Sequence, residues 1–579
     1  MIPPSWNRPG WNWPGRLLAA AAILGSVVYL AIVIDQYLYQ RDVAAAADMV
    51  VVESFLSGLH RFPTLVEAFT FHDNEHRPAF PLYVFSIDHF YFASRALLPV
   101  LLSFLSIAGA CGLCLWHLLP AIRQPASRLA YLLIFPVVMF WPAHYLNFVW
   151  AKQFHACLSV FCICASFAMA AGIDARLAER PRRAAIAPLA AMALFIFVGA
   201  FSFGWGLLAC LVIGGFVLWR RWPIGYAAPV LAVVIATVAL YAFVSRSLNP
   251  GTSIQGLGAG IAPAISYFLR FLGSPLTSLI GPHAPDGQST RLVAETLTAV
   301  ALMATTAMFF RRRRDRRDRD PATLAALNLA DLLLAFSIVC ALATMKTRIL
   351  LFPRDADSSR YLFVPALFWL ALLFHLAWRE PVTPRLRWLG PAIVAAVGAG
   401  IVLGTPTYFA AMAQRSFDHR LGSIVAVMGD GMPPRLARAP EFIIPLYADY
   451  AANGTSVYAE PWPHWLGMNA TTLAPADVPV CQGSILTVSP VQGSADRQVQ
   501  GRLTRPDGGT ERAWLAFANR DGTVIGLGTN GPSLPIGGYH GQLAPLEAFA
   551  GFIRGSQSDL DSIYAWFGGT DWCRLSATQ

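Results

Sequence analysis

Apolar segments recur along the first 410 residues of this chain. Most are about 20 residues long, the length that an α-helix needs to cross the hydrocarbon core of a bilayer. Of the 579 residues, 56% are hydrophobic and 13% are charged, whereas soluble globular proteins carry about 25% charged residues. The pattern excludes an ordinary soluble enzyme and predicts a polytopic α-helical membrane protein embedded in a lipid bilayer.

The hydropathy pattern predicts eleven transmembrane helices. We place them at about residues 17–36, 96–119, 127–142, 154–173, 184–203, 206–219, 225–245, 292–310, 324–345, 361–378 and 388–410. Arginine-rich short loops alternate with these segments and, by the positive-inside rule, place the N-terminus in the cytoplasm and the C-terminus outside. The arginine run at 311–317 is interpreted as a topology anchor, so no nucleic-acid partner is predicted.

The chain therefore divides into a transmembrane domain, residues 1–410, and a tail, residues 411–579, with the composition of a soluble domain. In the tail we predict a helix at 441–453, a strand at 456–459 and then a small β-sandwich, because short alternating runs are separated by turn residues. Cys481 and Cys573 are the only cysteines of the tail, which predicts a disulfide and an oxidising compartment. Together these features predict a bacterial inner-membrane protein with a periplasmic C-terminal domain.

The first external loop, residues 37–95, is too long for a simple connection. Its segment 43–59 has the pattern of an amphipathic helix lying in the membrane interface. A run of polar side chains follows, namely Asp73, Asn74, Glu75, His76 and Arg77. A hydrated charged loop is one interpretation. The other is a site in which a carboxylate acts as a base while Arg and His hold an anion.

A second polar cluster lies in the short loop between the ninth and tenth spans. Its candidate binding residues are Lys346, Arg348, Arg354, Arg360 and Tyr361. Cations in an external loop oppose the positive-inside bias, and an anionic lipid headgroup explains them; pairing with Asp355 and Asp357 is the alternative. A third group, Lys152 and His155, lies between the third and fourth spans and is a candidate for binding donor or acceptor.

These features resemble the GT-C superfamily of integral-membrane glycosyltransferases, which also combine a carboxylate motif in a long first external loop, about a dozen spans and an external C-terminal domain. The stretch 73–83 is similar to the acidic residue and His-Pro-Pro-Leu-Tyr-like segment of that superfamily. The chain also resembles a bacterial group of membrane proteins that share three short motifs. Here these are Asn74-Glu75-His76-Arg77, Phe203-Gly204-Trp205-Gly206 and Ser359-Arg360-Tyr361.

The resemblance implies an inverting transfer of sugar from a polyprenyl-phosphate donor to a glycan, lipid or protein acceptor of the cell envelope, at the periplasmic face. It implies Asp73 as the general base, with Glu75 as second choice, and basic side chains that hold the lipid phosphate. No cofactor is required by this mechanism, although the oxygens of Asp73 and Glu75 also suit Mg²⁺ or Mn²⁺.

Two other functions stay open at this stage. One is a polyprenyl-linked O-antigen ligase or polymerase. The other is a lipid or polysaccharide transporter, for which the intramembrane Asp331 would be the key residue.

The glycine-bearing segment 246–291 is interpreted as a long loop that covers the site as a lid.

Overall fold

The computed structural model describes residues 13–40, 49–73, 76–179, 186–245, 260–280, 287–312, 320–349, 355–378, 389–429, 450–475, 477–491, 494–507, 512–531, 548–556 and 559–576. The longer helices of its first part, in chain order, are α1 (Trp13–Tyr39), α2 (Val50–Leu59), α3 (Leu65–Thr70), α4 (Ala79–Phe92), α5 (Leu97–Leu118), α6 (Pro125–Met139), α7 (Tyr145–Val149), α8 (Phe154–Glu179), α9 (Ile186–Ala200), α10 (Gly204–Trp219), α11 (Ile224–Ser245), α12 (Ile261–Ile280), α13 (Gly287–Arg312), α14 (Pro321–Arg348), α15 (Phe363–Trp378) and α16 (Leu389–Met428).

Each predicted span coincides with one of these helices. Within the described residues, seven stretches are long and apolar enough to cross a bilayer, and they include α1, α5, α6, α8, α11, α14 and α16. The helices α9, α10 and α15 are apolar but shorter, and α13 belongs to neither group. The chain is a membrane protein by the length and composition of its helices, while eleven crossings stay a prediction.

The helices α8 and α14 form the centre of the bundle, where most of their residues are buried, whereas α1 and α16 lie at its edge. The helix α8 packs against α5, α9 and α14. Its buried face consists of small and medium side chains, such as Ala165, Ala168 and Cys164, which allow neighbouring helices to approach closely.

The long first loop folds into the short helices α2, α3 and α4. The helix α3 begins with a capping box, in which Thr64 Oγ1 accepts the Glu67 N–H while the Glu67 carboxylate accepts the Thr64 N–H. Of the predicted interfacial helix at 43–59, residues 50–59 form α2, and residues 43–48 lie outside the described part. The residues between α3 and α4, which include Asp73, are therefore fixed at both ends by helices.

The prediction of a lid loop at 246–291 is wrong for residues 261–280, which form α12, and for residues 287–291, which begin α13. Its apolar residues recur with helical spacing, and Tyr267, Phe271 and Leu272 are buried against the bundle. The residues 246–259 and 281–286 of the predicted lid lie outside the described part. The glycine-rich sequence at the beginning of the predicted lid is thus followed by a helix that packs against the bundle.

The tail carries one seven-stranded antiparallel sheet rather than the predicted sandwich. In chain order its strands are β1 (Gln482–Pro490), β2 (Arg497–Thr504), β3 (Trp514–Asn519), β4 (Val524–Asn530), β5 (Ala548–Ile553), β6 (Leu560–Gly568) and β7 (Asp571–Ser576). They are arranged in the order β1-β2-β5-β4-β3-β6-β7. The sheet curls until the β1 and β7 ends meet, since the Cys481 N–H donates to the Arg574 carbonyl at 2.8 Å.

The sheet has an apolar core on each face, which is why a second sheet is not needed. Inside the curl, Leu515 and Phe517 pack with residues of β2, β5 and β6, while the alternate residues Ala516 and Ala518 face outward. The outer face is covered by the end of α16, for example by Ile424. The helix α16 continues through residue 410, so the predicted domain boundary falls inside one unbroken helix.

The predicted strand at 456–459 is wrong as well. Residues Ser456–Ala459 form a 3₁₀ turn, whose Ser456 N–H donates to the Ala93 carbonyl at 2.8 Å between α4 and α5. Because the Ser456 N–H is used in this contact, it does not form the hydrogen bond to a neighbouring strand that the prediction requires. Of the predicted helix at 441–453, only residues 450–453 are described, and they are helical.

Cys481 and Cys573 form a disulfide that joins the segment before β1 to β7 across a sequence separation of 92 residues. Replacing Cys481 with serine should lower the free energy of unfolding of the tail by about 2–5 kcal/mol, because the bridge restricts the unfolded chain. Urea unfolding followed by tryptophan fluorescence, with and without reductant, measures this. Equal stability of the variant and the oxidised wild type would contradict the structural role of the bridge.

Candidate functional site

A buried ion pair joins Asp73 of the first loop to Lys152, which lies two residues before α8. The Lys152 Nζ lies 2.8 Å from Asp73 Oδ2 and 2.9 Å from Oδ1. Only 3% of the Asp73 side chain and 8% of the Lys152 side chain are exposed. Removing two charges from water costs several kcal/mol for each ion unless they are paired, so each charge depends on the other.

A tight turn sets the position of Asp73. The main chains of Asp73 and His76 exchange two hydrogen bonds, each 3.0 Å long, and this brings the two side chains to the same end of α4. Asn74 and Glu75, which come between these two residues in the sequence, are outside the described residues. The structure therefore places Asp73 in an enclosed ion pair and leaves the role predicted for Glu75 as a prediction.

The imidazole of His76, in the first loop, packs against the turn before α10. Its ring centroid is 3.8 Å from that of Phe203, and its Nδ1 accepts the Gly204 N–H at 3.4 Å. Burial, together with the nearby positive charges of Arg348, Lys152 and Arg360, lowers the pKa of His76 to about 3. His76 is therefore neutral at pH 7, with its proton on Nε2, where it can donate a hydrogen bond.

The Gly-rich turn allows this approach. A Cβ on Gly206 would lie 2.1 Å from the carbonyl carbon of Gly199, so the start of α10 and the end of α9 pack main chain to main chain. A Cβ on Gly204 would lie 3.2 Å from His76 Nδ1. The two glycines therefore bring the turn against both α9 and the first loop.

The segment 359–361 contacts residues beside this turn. The Asn147 Nδ2 donates to the Ser359 carbonyl at 2.9 Å, and the Arg360 guanidinium lies 4.9 Å from the centroid of the Tyr361 ring. The Tyr361 ring lies 6.4 Å from that of Trp205. The three short motifs of the sequence thus meet in space, although more than 120 residues separate each from the next.

Arg348 and Arg360 are near enough to His76 to affect its protonation, so the structure brings both predicted cations to the site. Lys346 lies on the same helix as Arg348, but its side chain is exposed. Arg354 lies outside the described residues. His155 is buried, its ring centroid lies 4.7 Å from that of Phe203, and its Nδ1 contacts the Lys152 carbonyl.

Arg77, whose motif predicts substrate binding, contacts the main chain of two neighbouring helices. It is 1% exposed, and its guanidinium donates to the Val244 carbonyl at 2.7 Å and to the Thr70 carbonyl. These carbonyls belong to the last turns of α11 and α3, where helical hydrogen bonds run out. Arg77 therefore joins the first loop to the bundle.

Two further contributions to this site were not predicted from the sequence. Arg270 of α12 pairs with Asp357, which also lies 3.9 Å from Arg291 of α13, so this carboxylate fixes the segment beside Arg360. Asn147 is fully buried and holds the Ser359 main chain. The helical spacing of apolar residues in 261–280 could have indicated that Arg270 is on a packed helix.

Two other features bear on the predicted functions. Among the described residues, no three His, Cys, Asp or Glu side chains lie close enough together to hold a metal ion. Metal binding by Asp73 and Glu75 stays a prediction, since Glu75 is not described. Within the bundle, His375 Nε2 lies 3.3 Å from Asp331 Oδ1, an ionisable pair in the apolar region.

No protein-family model matches the chain, and no curated protein or solved structure resembles it at a significant level.

Proposed function

We propose that the chain is an inverting membrane glycosyltransferase of the GT-C type. It moves a sugar from a polyprenyl-phosphate donor to a glycan, lipid or protein acceptor at the periplasmic face of the bacterial inner membrane. The observation that carries this proposal is the enclosed Asp73–Lys152 ion pair, which lies where the three short motifs meet. A carboxylate and several cations in one place match the two demands of the reaction, namely proton removal and stabilisation of a departing phosphate.

In this mechanism Asp73 accepts the proton of the acceptor hydroxyl. The acceptor oxygen forms a bond to the anomeric carbon, and the bond from that carbon to the phosphate oxygen breaks, with its electron pair leaving on the phosphate. Arg348 and Arg360 stabilise the charge that the phosphate gains, and the neutral His76 donates a hydrogen bond from Nε2. Lys152 orients Asp73 through their ion pair. The mechanism needs no metal ion.

A transporter is the second candidate, and the Asp331–His375 pair favours it. Ionisable pairs in the apolar part of a bundle often carry protons or ions. In that case, changes to Asp331 should abolish function while changes around Asp73 should have small effects. An O-antigen ligase or polymerase shares the lipid donor, and the identity of the transferred glycan distinguishes it from the proposed enzyme.

Binding of polyprenyl phosphate to the purified protein separates enzyme from transporter. Arg348→Ala and Arg360→Ala should each weaken this binding by about 1.5–3 kcal/mol, the contribution of a charge-assisted hydrogen bond. Lys346→Ala is the matched control, because it removes a charge from the exposed side of the same helix. Undiminished binding in both arginine variants, with a defect only in Asp331→Asn, would overturn the proposed site.

A further inference from the structure

Two arginines from distant parts of the chain meet where α16 contacts the sheet. Arg420 is on α16, and its Nη1 donates to Thr529 Oγ1 at 2.7 Å at the end of β4. Arg512 lies two residues before β3 and donates to Ser416 Oγ, one helical turn before Arg420 on α16, so the two positive charges lie close enough to repel each other. Both arginines are partly buried, so this repulsion is screened less than it would be at an exposed surface.

The contacts of Arg420 leave its charge uncompensated. Its Nε atom is enclosed and has no hydrogen-bond partner, and no carboxylate of the described residues forms an ion pair with it. Guanidinium carries five N–H donors, of which the neutral Thr529 hydroxyl uses one. An enclosed cation with unused donors beside a second cation is costly unless an anion joins them.

Arg512 connects this pair to the end of the first helix. Its guanidinium donates to Ser416 Oγ at 3.2 Å and to the side-chain carbonyl of Gln40, and it lies 4.0 Å from the centroid of the Tyr39 ring. Tyr39 is the last residue of α1 and of its membrane-crossing stretch. The arginine pair therefore lies at the level where a membrane helix ends, which is the level of lipid headgroups.

A third arginine, Arg415, lies one to two turns before Arg420 on α16. Its guanidinium is 5.5 Å from the centroid of the Trp150 ring. Trp150 precedes the turn that carries Lys152, so the basic cluster adjoins the proposed active site without sharing residues with it. The cluster is drawn from α16 and from the segment before β3.

We propose that Arg420 and Arg512, with Arg415 at the rim, bind a phosphate group at the junction between α1, α16 and the sheet. Guanidinium groups bind phosphate through paired hydrogen bonds, and a dianion or monoanion removes the repulsion between the two arginines. The phosphate belongs either to a phospholipid headgroup or to free inorganic phosphate. This proposal is independent of the proposed glycosyltransferase activity.

Thermal unfolding of the full-length protein in a maltoside detergent tests the proposal. The three additives are dioctanoyl phosphatidylglycerol, dioctanoylglycerol with the same chains but no phosphate, and inorganic phosphate. We expect phosphatidylglycerol, but not dioctanoylglycerol, to raise the unfolding temperature of the wild type in a saturable way. An equal rise with inorganic phosphate identifies the free anion as the source, and a rise with the lipid alone identifies the headgroup.

Arg420→Gln and Arg512→Gln should each raise the apparent dissociation constant for the phosphate-bearing additive about tenfold. Without additive they should unfold at the wild-type temperature or above it, because one of two repelling charges is gone. Arg420→Lys should keep much of the response, and Arg574→Gln, which changes a half-exposed arginine of β7, should keep all of it. Destabilisation of the glutamine variants without additive, or an undiminished response in both, would overturn the proposal, as would an equal response to dioctanoylglycerol.

Discussion

Replacing Asp73 with asparagine should lower the rate of sugar transfer by about two to four orders of magnitude, the range of general base catalysis. The amide keeps the shape of the carboxylate but does not accept the proton of the acceptor hydroxyl. Binding of the lipid donor should be largely retained, because the cations Arg348 and Arg360 are unchanged. The measurement is single-turnover transfer by the purified variant, together with donor binding.

Glu75→Gln is the matched variant, since it makes the same chemical change two residues away. If Asp73→Asn is active and Glu75→Gln is inactive, the base moves to Glu75 and the mechanism is kept. If both variants transfer sugar at the wild-type rate, the first loop does not supply the base, and the proposed mechanism is wrong.

Loss of Lys152 should have the largest effect on stability. Lys152→Met removes the ammonium group that pairs with the buried Asp73 carboxylate, and breaking a buried ion pair in this way costs about 3–5 kcal/mol. The exposed Lys346 is the only other lysine of the chain, so Lys346→Met is the matched control and should have little effect. Unfolding in a titration with denaturing detergent, monitored by tryptophan fluorescence, measures the difference.

The double variant Asp73→Asn/Lys152→Met distinguishes a lost ion pair from lost packing. If the uncompensated charge is the cause, adding Asp73→Asn should restore much of the stability that Lys152→Met loses. An equal loss of stability in the two backgrounds would show that the ammonium group and the carboxylate do not depend on each other.

The helices could be predicted from the sequence because the length of an apolar segment is a direct consequence of bilayer thickness. The shape of the tail could not. The alternation of apolar and polar residues in short segments predicts a sheet. Whether a second sheet or a helix covers that sheet depends on residues distant in the sequence, here Ile424 and its neighbours on α16. The apolar start of α16 likewise predicted a span ending near residue 410, although the helix continues into the tail.

The site was predictable in part. Polar and charged side chains beside apolar spans are energetically costly unless they are solvated or take part in binding. This cost made four residues candidates from the sequence, namely Asp73, His76, Arg348 and Arg360. Their convergence depends on tertiary packing, above all on the close approach of Gly206 to Gly199. The contacts of Arg77 with the carbonyls of Thr70 and Val244 could not be predicted, because nothing in its motif shows that these carbonyls lie within its reach.

Photo-crosslinking with a diazirine analogue of a short-chain polyprenyl phosphate tests the central claim most directly. After irradiation of the purified protein, peptide mapping identifies the labelled segments, and excess unphosphorylated polyprenol serves as competitor. The account predicts labelling near residues 76–82 and 355–361, lost in Arg348→Ala/Arg360→Ala and not reduced by the polyprenol. Labelling confined to the surroundings of Asp331 and His375, or labelling that the polyprenol abolishes, would contradict it.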